Sequence, residues 1–173
     1  ILIRVNFSSL NYKDALSATG NKGVSRNYPH TPGIDVAGIV KSSSVAEFSE
    51  GEEVIVTGYD LGMNTSGGFS EFVRVPKDWV IKKPESLTLS ESMALGTAGL
   101  TAGLCVRRLI NHGITPEMGK LFVTGATGGV GIISLMLLSK LGYEVSAITG
   151  KKESEQMLKN YGAKEIMMRD QFD

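Results

Sequence analysis

KLFVTGATGGVGIISLMLLSKLGY, residues 120–143, decides the fold. A short apolar run, Leu121-Phe122-Val123-Thr124, leads into Gly125, Gly128, Gly129 and Gly131, and an almost unbroken apolar segment then continues to Leu141. The order reads strand, tight glycine turn, helix. Gly142 follows as a helix stop, and Glu144 to Thr149 reads as a second strand, so the turn sits inside a β-α-β unit. A turn of this kind suits a dinucleotide pyrophosphate. Glycine supplies positive φ and close backbone approach, and the helix N-terminus faces the anion. The spacing is G-x-x-G-x-x-G, with Ala126-Thr127 ahead of the second glycine. By itself a glycine pattern is a weak signal, and its β-α-β context is what strengthens it.

Downstream, Lys152–Tyr161 is expected to form a helix with Met157, Leu158 and Tyr161 on one face, capped by Gly162. Glu165 to Met168 reads as a third strand. Upstream, residues 89–110 have few helix breakers. Gly96, Gly99 and Gly103 stand at helical spacing, which predicts close approach of that helix to a neighbour. The first ninety residues are different in character. Ile1, Ile3, Val5 and Phe7 alternate with Leu2, Arg4, Asn6 and Ser8, as in a half-buried strand. A short helix is expected over 11–19, a loop over 21–33, and strands over 34–42, 52–57 and 69–75, with Trp79-Val80-Ile81 closing the region. Two domains are expected: a β-rich one over 1–90 and the start of a doubly wound parallel α/β sheet over 91–173. A full two-half dinucleotide fold needs about six strands. The chain also opens inside a strand pattern without Met, so the expectation is a part of a longer protein.

Composition narrows the function classes. Of 173 residues 42% are apolar, with 18 basic against 18 acidic, and this balance argues against nucleic acid or an anionic membrane surface as main partner. A single cysteine, Cys105, excludes an intrachain disulfide and a multi-cysteine metal site. No apolar run is read as reaching the about 18–20 residues of a membrane span. A soluble, cytoplasmic setting is the expectation.

The corner after the second strand reads Thr149-Gly150-Lys151-Lys152. NAD-binding folds place an acid there for the ribose 2′-hydroxyl. A hydroxyl, a glycine and two cations suit a 2′-phosphate instead, and Arg169, just past the third strand, adds a second clamp. NADPH is therefore the expected cofactor. Glu153 is read as an ordinary first-turn helix acid.

Taken together, SSLNYKDAL (8–16), PGIDVAGIV (32–40), GGFSEF (67–72), MALGTAGLTA (93–102) and VTGATGGVG (123–131) resemble the medium-chain dehydrogenase/reductase superfamily over nearly the whole chain. The match is to its zinc-free branch of acrylyl-CoA reductases and quinone oxidoreductases. The resemblance implies a GroES-like β-barrel domain followed by the first half of a Rossmann domain. Zinc-dependent relatives carry a Cys near the position of Asn11 and a Gly-His-Glu motif. Here that motif reads Gly33-Ile34-Asp35, so a catalytic zinc lacks its ligands and no metal is expected. His30 and His112 are read as surface or loop histidines.

The resemblance also implies roles. Tyr12 matches a cofactor-contacting tyrosine. Thr127, Gly128, Gly129 and Val130 match the pyrophosphate turn. Thr149, Gly150 and Lys151 match the 2′-phosphate loop, with Lys where the family often has Arg, and Arg169 matches a cofactor arginine. Zinc-free reduction of a double bond conjugated to a carbonyl follows as the expected chemistry, on an acrylyl-CoA-type enoyl thioester or, alternatively, a quinone. Asn11 and Tyr12 are expected near the reacting atoms, and no residue is assigned as acid or base. A non-catalytic NADPH-binding protein is the reading from a different class. The longer protein is expected to be a homodimer.

Overall fold

The computed structural model describes residues 1–171. The chain divides between Thr97 and Ala98 into two compact units.

In the first unit, β1 (Leu2–Phe7), β2 (Asp35–Ser42), β3 (Glu53–Thr57), β4 (Phe72–Arg74) and β5 (Val80–Lys82) form one antiparallel sheet in the order β4-β1-β2-β3-β5. A short helix, α1 (Tyr12–Ala18), follows β1. One face of the sheet encloses Ile1, Ile3, Val36, Val40, Val54 and Val56, together with Leu61 and Val80. The other face of β2 and β3 is also covered: Ala37 and Ile55 pack against Leu89 and Met93. Double coverage explains why the first four residues of β2 are all buried rather than alternating.

The alternation holds for Ile1, Ile3 and the partly buried Val5, which packs against the same core, and fails at the end of β1. Phe7, expected inside, is 46% exposed. A register shift between Val5 and Phe7 inserts an irregularity there, and a one-residue slip turns a side chain to the opposite face. The strand expected over 69–75 contracts to Phe72–Arg74. Residues 67–69 instead bond to 31–33, through Gly67 N–H to Thr31 O, Gly68 N–H to Gly33 O and Phe69 N–H to Pro32 O at 2.8–3.0 Å. Gly33, at φ 111°, permits this crossing. A Cβ there would stand 2.6 Å from the amide nitrogens of both Gly68 and Phe69.

A long helix, α2 (Leu89–Asn111), leads from the first unit into the second. Its continuity is broken at Gly96, whose φ 49° and ψ −152° are not helical. Close approach was expected at Gly96, Gly99 and Gly103. Gly96 does press against Ser9 and Asp35, but as a break, whereas a Cβ on Gly103 would meet nothing within 4 Å. Among the described residues α2 alone is long and apolar enough to cross a membrane by length and composition, contrary to the expectation that no run reaches a span. The break leaves about 22 Å of continuous helix after Gly96 at 1.5 Å per residue, shorter than a hydrocarbon core about 30 Å thick.

The second unit contains β6 (Leu121–Val123), α3 (Gly129–Lys140), β7 (Val145–Thr149), α4 (Glu155–Asn160) and β8 (Glu165–Met168). The three strands are parallel in the order β6-β7-β8, as the β-α-β reading requires. All five residues of β7 are buried, which suits the central strand of a sheet covered on both faces. Leu135, Leu138, Val145, Ala147 and Leu158 lie in its core.

Candidate functional site

The glycine turn is assembled by backbone geometry. Gly125, at φ 57°, reverses the chain after β6. The Ala126 amide donates to Ile148 O at 3.2 Å and ties the turn to β7, while the Gly128 amide closes it on Gly125 O at 2.9 Å. Gly128 is the N-cap of α3, extended at φ −85° and ψ 162°, and no acid stands in the helix's first turn. Gly131 must lack a side chain, because a Cβ would run into the carbonyl oxygen of Gly125 and lie 2.8 Å from Ala126 Cα. The first-turn amides of a helix have no intrahelical acceptor. Gly129 and Val130, both exposed, therefore offer donors at the positive end of the α3 dipole, and Thr127 and Gly128 border them. This arrangement fits a phosphate-bearing ligand. A hollow of about 430 Å³ lies alongside, lined by Gly125, Gly128, Gly129 and Val130 and by the apolar Phe122 and Leu109.

The corner after β7 is the second element. Thr149 is 1% exposed, and its Oγ1 accepts the Lys151 amide at 3.0 Å. The hydroxyl thus shapes the Gly150-Lys151 loop from beneath. Arg169, which follows β8, reaches this loop: a Cβ built on Gly150 would stand 3.9 Å from Arg169 Cζ and 4.0 Å from its Nη2. Gly150, Met168, Arg169 and Asp170 line a second hollow of about 280 Å³. Among the described residues neither Arg169 nor Lys151 forms an ion pair. Parallel pairing of β7 with β8, Thr149 opposite Met168, brings Arg169 and Gly150 together.

Tyr12 belongs to the first unit. It opens α1, 81% exposed, and its neighbour Leu10 is 85% exposed. Between them Asn11 is held from both sides. Its backbone amide donates to Asp14 Oδ2 at 2.8 Å, and its Nδ2 donates to Asp35 Oδ2 at 2.9 Å. Both acids are fully buried. The other oxygen of Asp14 accepts the amides of Gly33 and Ile34 at 3.1 and 3.0 Å. Asp35 also accepts Thr97 N–H at 2.9 Å and Thr97 Oγ1–H at 2.7 Å. Each carboxylate is thus compensated by three donors rather than by a cation. Sequence reasoning named Asn11 and Tyr12 but missed the buried pair beneath them. The spacing of Asn11 and Asp14, a cap residue with an acid three positions on, was its one readable sign.

Both histidines bond to backbone carbonyls, His30 Nε2 with Gly62 O at 2.9 Å and His112 Nδ1 with Arg108 O at 2.8 Å. Among the described residues no three His, Cys, Asp or Glu side chains cluster as a metal site.

Residues 1–85 match the family model of the alcohol dehydrogenase GroES-like domain. The acrylyl-CoA reductase AcuI of Ruegeria pomeroyi is 43% identical over 173 residues, covering 100% of this chain and 52% of the relative. A Bacillus subtilis protein, YhfP, whose name assigns it provisionally to the quinone oxidoreductases, is 48% identical over 98% of this chain and 52% of its own length. Its crystal structure with NAD bound superposes with a TM-score of 0.95. The YhdH oxidoreductase of Salmonella enterica, solved with NADP, is 46% identical with a TM-score of 0.97, covering 99% of this chain and 53% of that one. The chain spans about half the length of the relatives it matches.

Proposed function

The chain belongs to the medium-chain dehydrogenase/reductase family, and from that premise we propose that it is the N-terminal part of an NADPH-dependent reductase acting on an activated double bond. The observation that carries the choice of NADPH is the Gly150–Arg169 juxtaposition: a guanidinium against a residue without a side chain, next to Lys151, with no carboxylate among the described residues paired to either cation. A planar guanidinium takes a phosphate through two parallel hydrogen bonds, and Lys151 adds a point charge. In this reading Thr127, Gly128, Gly129 and Val130 receive the pyrophosphate, Gly150, Lys151 and Arg169 hold the 2′-phosphate, and Thr149 shapes their loop. Tyr12 contributes an exposed ring to the bound nucleotide.

Bound NADPH supplies a hydride. The side chains here bind and orient. Ile34 stands where zinc-dependent relatives have a metal ligand, and the nearby Asp35 has both oxygens occupied by N–H and O–H donors. Activation of the acceptor is therefore assigned to hydrogen bonding, which suits a double bond conjugated to a carbonyl. An acrylyl-CoA-type thioester is the favoured acceptor, from the R. pomeroyi relative. A quinone is the alternative, from the name of the B. subtilis one. A cytoplasmic homodimer is part of the same proposal.

The test is NADPH oxidation by the complete protein, followed by absorbance, with acrylyl-CoA and with a benzoquinone in parallel. Faster turnover of the thioester supports the reading. Turnover of the quinone alone moves it to the alternative. Tight NADPH binding with neither acceptor reduced points to a non-catalytic binding protein.

A further inference from the structure

Leu10 and Tyr12 are among the most exposed large apolar side chains of the described residues, at 85% and 81%, and they flank a partly buried Asn11. Burying such apolar surface would be favourable. The local structure does the reverse. It buries two carboxylates, Asp14 and Asp35, and uses both to pin Asn11, which leaves its neighbours in solvent. Departure from a local rule with an ordered scaffold beneath it is characteristic of a functional surface.

We infer that Asp35 is a positioning residue: its carboxylate fixes the Asn11 amide and thereby holds the Leu10–Tyr12 surface in a single ligand-ready arrangement. The inference rests on the reading that Tyr12 meets the nucleotide. An ionised carboxylate only accepts hydrogen bonds. Asn11 must then present Nδ2 to Asp35, and its carbonyl oxygen is left to the other side. Asp35 is held in turn by Thr97, through both its amide and its hydroxyl. Gly96 makes that possible. Its φ of 49° turns the Thr97 amide toward Asp35, and a Cβ on Gly96 would stand 2.7 Å from Asp35 Oδ2. The break in α2, the buried acid and the Asn11 loop therefore form one device, spanning sequence separations of 62 and 24 residues.

Asp35→Asn keeps the shape but can donate, so it lets the Asn11 amide turn over. The complete protein is compared with this variant, with Asn11→Ala, and with the exchanged pair Asn11→Asp/Asp35→Asn. Two readouts are used, backbone hydrogen exchange and steady-state kinetics with NADPH. In Asp35→Asn and Asn11→Ala, amides 10–13 are expected to exchange about tenfold faster, the loss of one hydrogen bond to a charged group, while β1, β2 and the second unit keep their wild-type protection. The KM for NADPH rises severalfold, and the exchanged pair returns both readouts most of the way. Unchanged exchange at 10–13 overturns the inference. So does an increase spread equally through β1 and β2, which would make Asp35 a strut, or a failure of the exchanged pair to rescue. If the wild-type protein oxidises NADPH with neither acceptor, the reductase reading falls, and the exchange data still decide the role of Asp35.

Discussion

The guanidinium of Arg169 stands against Gly150: a Cβ built on the glycine would be 3.9 Å from Arg169 Cζ. If this pair holds the 2′-phosphate, Arg169→Gln should weaken NADPH binding by about tenfold, a charged hydrogen bond being worth about 1.5–3 kcal/mol before solvent screening. NADH binding should change by less than about twofold, because the lost contact is specific to the phosphate. Titration with both nucleotides measures the difference. Gly150→Ala should be tolerated, since its nearest contact is of ordinary van der Waals length.

Two glycines should respond to alanine with opposite signs. Gly131→Ala puts a methyl group against the Gly125 carbonyl, forces the turn open, and should cost about 1–3 kcal/mol together with dinucleotide affinity. Gly103→Ala enters open space within α2 and should stabilise by up to about 1 kcal/mol. Urea unfolding midpoints for the two variants provide the check.

Asp14 accepts the backbone amides of Asn11, Gly33 and Ile34. Asp14→Ala orphans three donors at once and should cost about 3 kcal/mol or more, given about 1–3 kcal/mol for each buried unsatisfied group. Thermal unfolding of the variant tests this, and a loss below about 1 kcal/mol would contradict the assigned bonding.

Asn11→Asp would set a second carboxylate beside Asp35. The like charge beside it raises the pKa of the introduced carboxyl in the folded state. A raised folded pKa contributes stability that is present below the unfolded value and lost as pH rises through the folded one. The variant should therefore approach wild-type stability in acid and fall behind it towards neutral pH, as followed by unfolding midpoints across that range.

Glu165 shows the opposite sign. Hydrogen bonds from Lys120 and then Ser146 hold its carboxyl below the usual range. Its contribution is present above the unfolded carboxylate pKa, about 4.3, and is lost as pH falls through the lower folded value. Because the group is on the surface the effect is small. Glu165→Gln should therefore lie slightly below wild type at neutral pH and converge with it in acid, flattening the acid limb of the profile of unfolding midpoints against pH.

The features legible in the sequence are those with local causes. Gly125 and Gly131 announced a strand-turn-helix because the turn itself requires them, Gly125 by its φ of 57° and Gly131 by the contact its Cβ would make with the Gly125 carbonyl. Gly142 marked the end of α3 for the same reason, turning at φ 90° directly after the C-cap. Phe7 was misread because alternation carries no mark of the irregularity that interrupts it, and Gly103 because helical spacing does not say which face has a neighbour.

By itself, then, the sequence determined the β-rich region followed by a β-α-β unit with a glycine turn, and the resemblance to the medium-chain dehydrogenase/reductase family; a phosphate corner at Thr149-Gly150-Lys151 was its expectation. Tertiary structure alone decided which residues support one another. Arg169 reaches Gly150 only through the pairing of β7 with β8. Asp35 meets Asn11 and Thr97 only when residues 24 and 62 positions away fold onto it. The physical reason is that propensity and turn chemistry act over a few neighbours, whereas a buried carboxylate is stable only where distant donors converge on it.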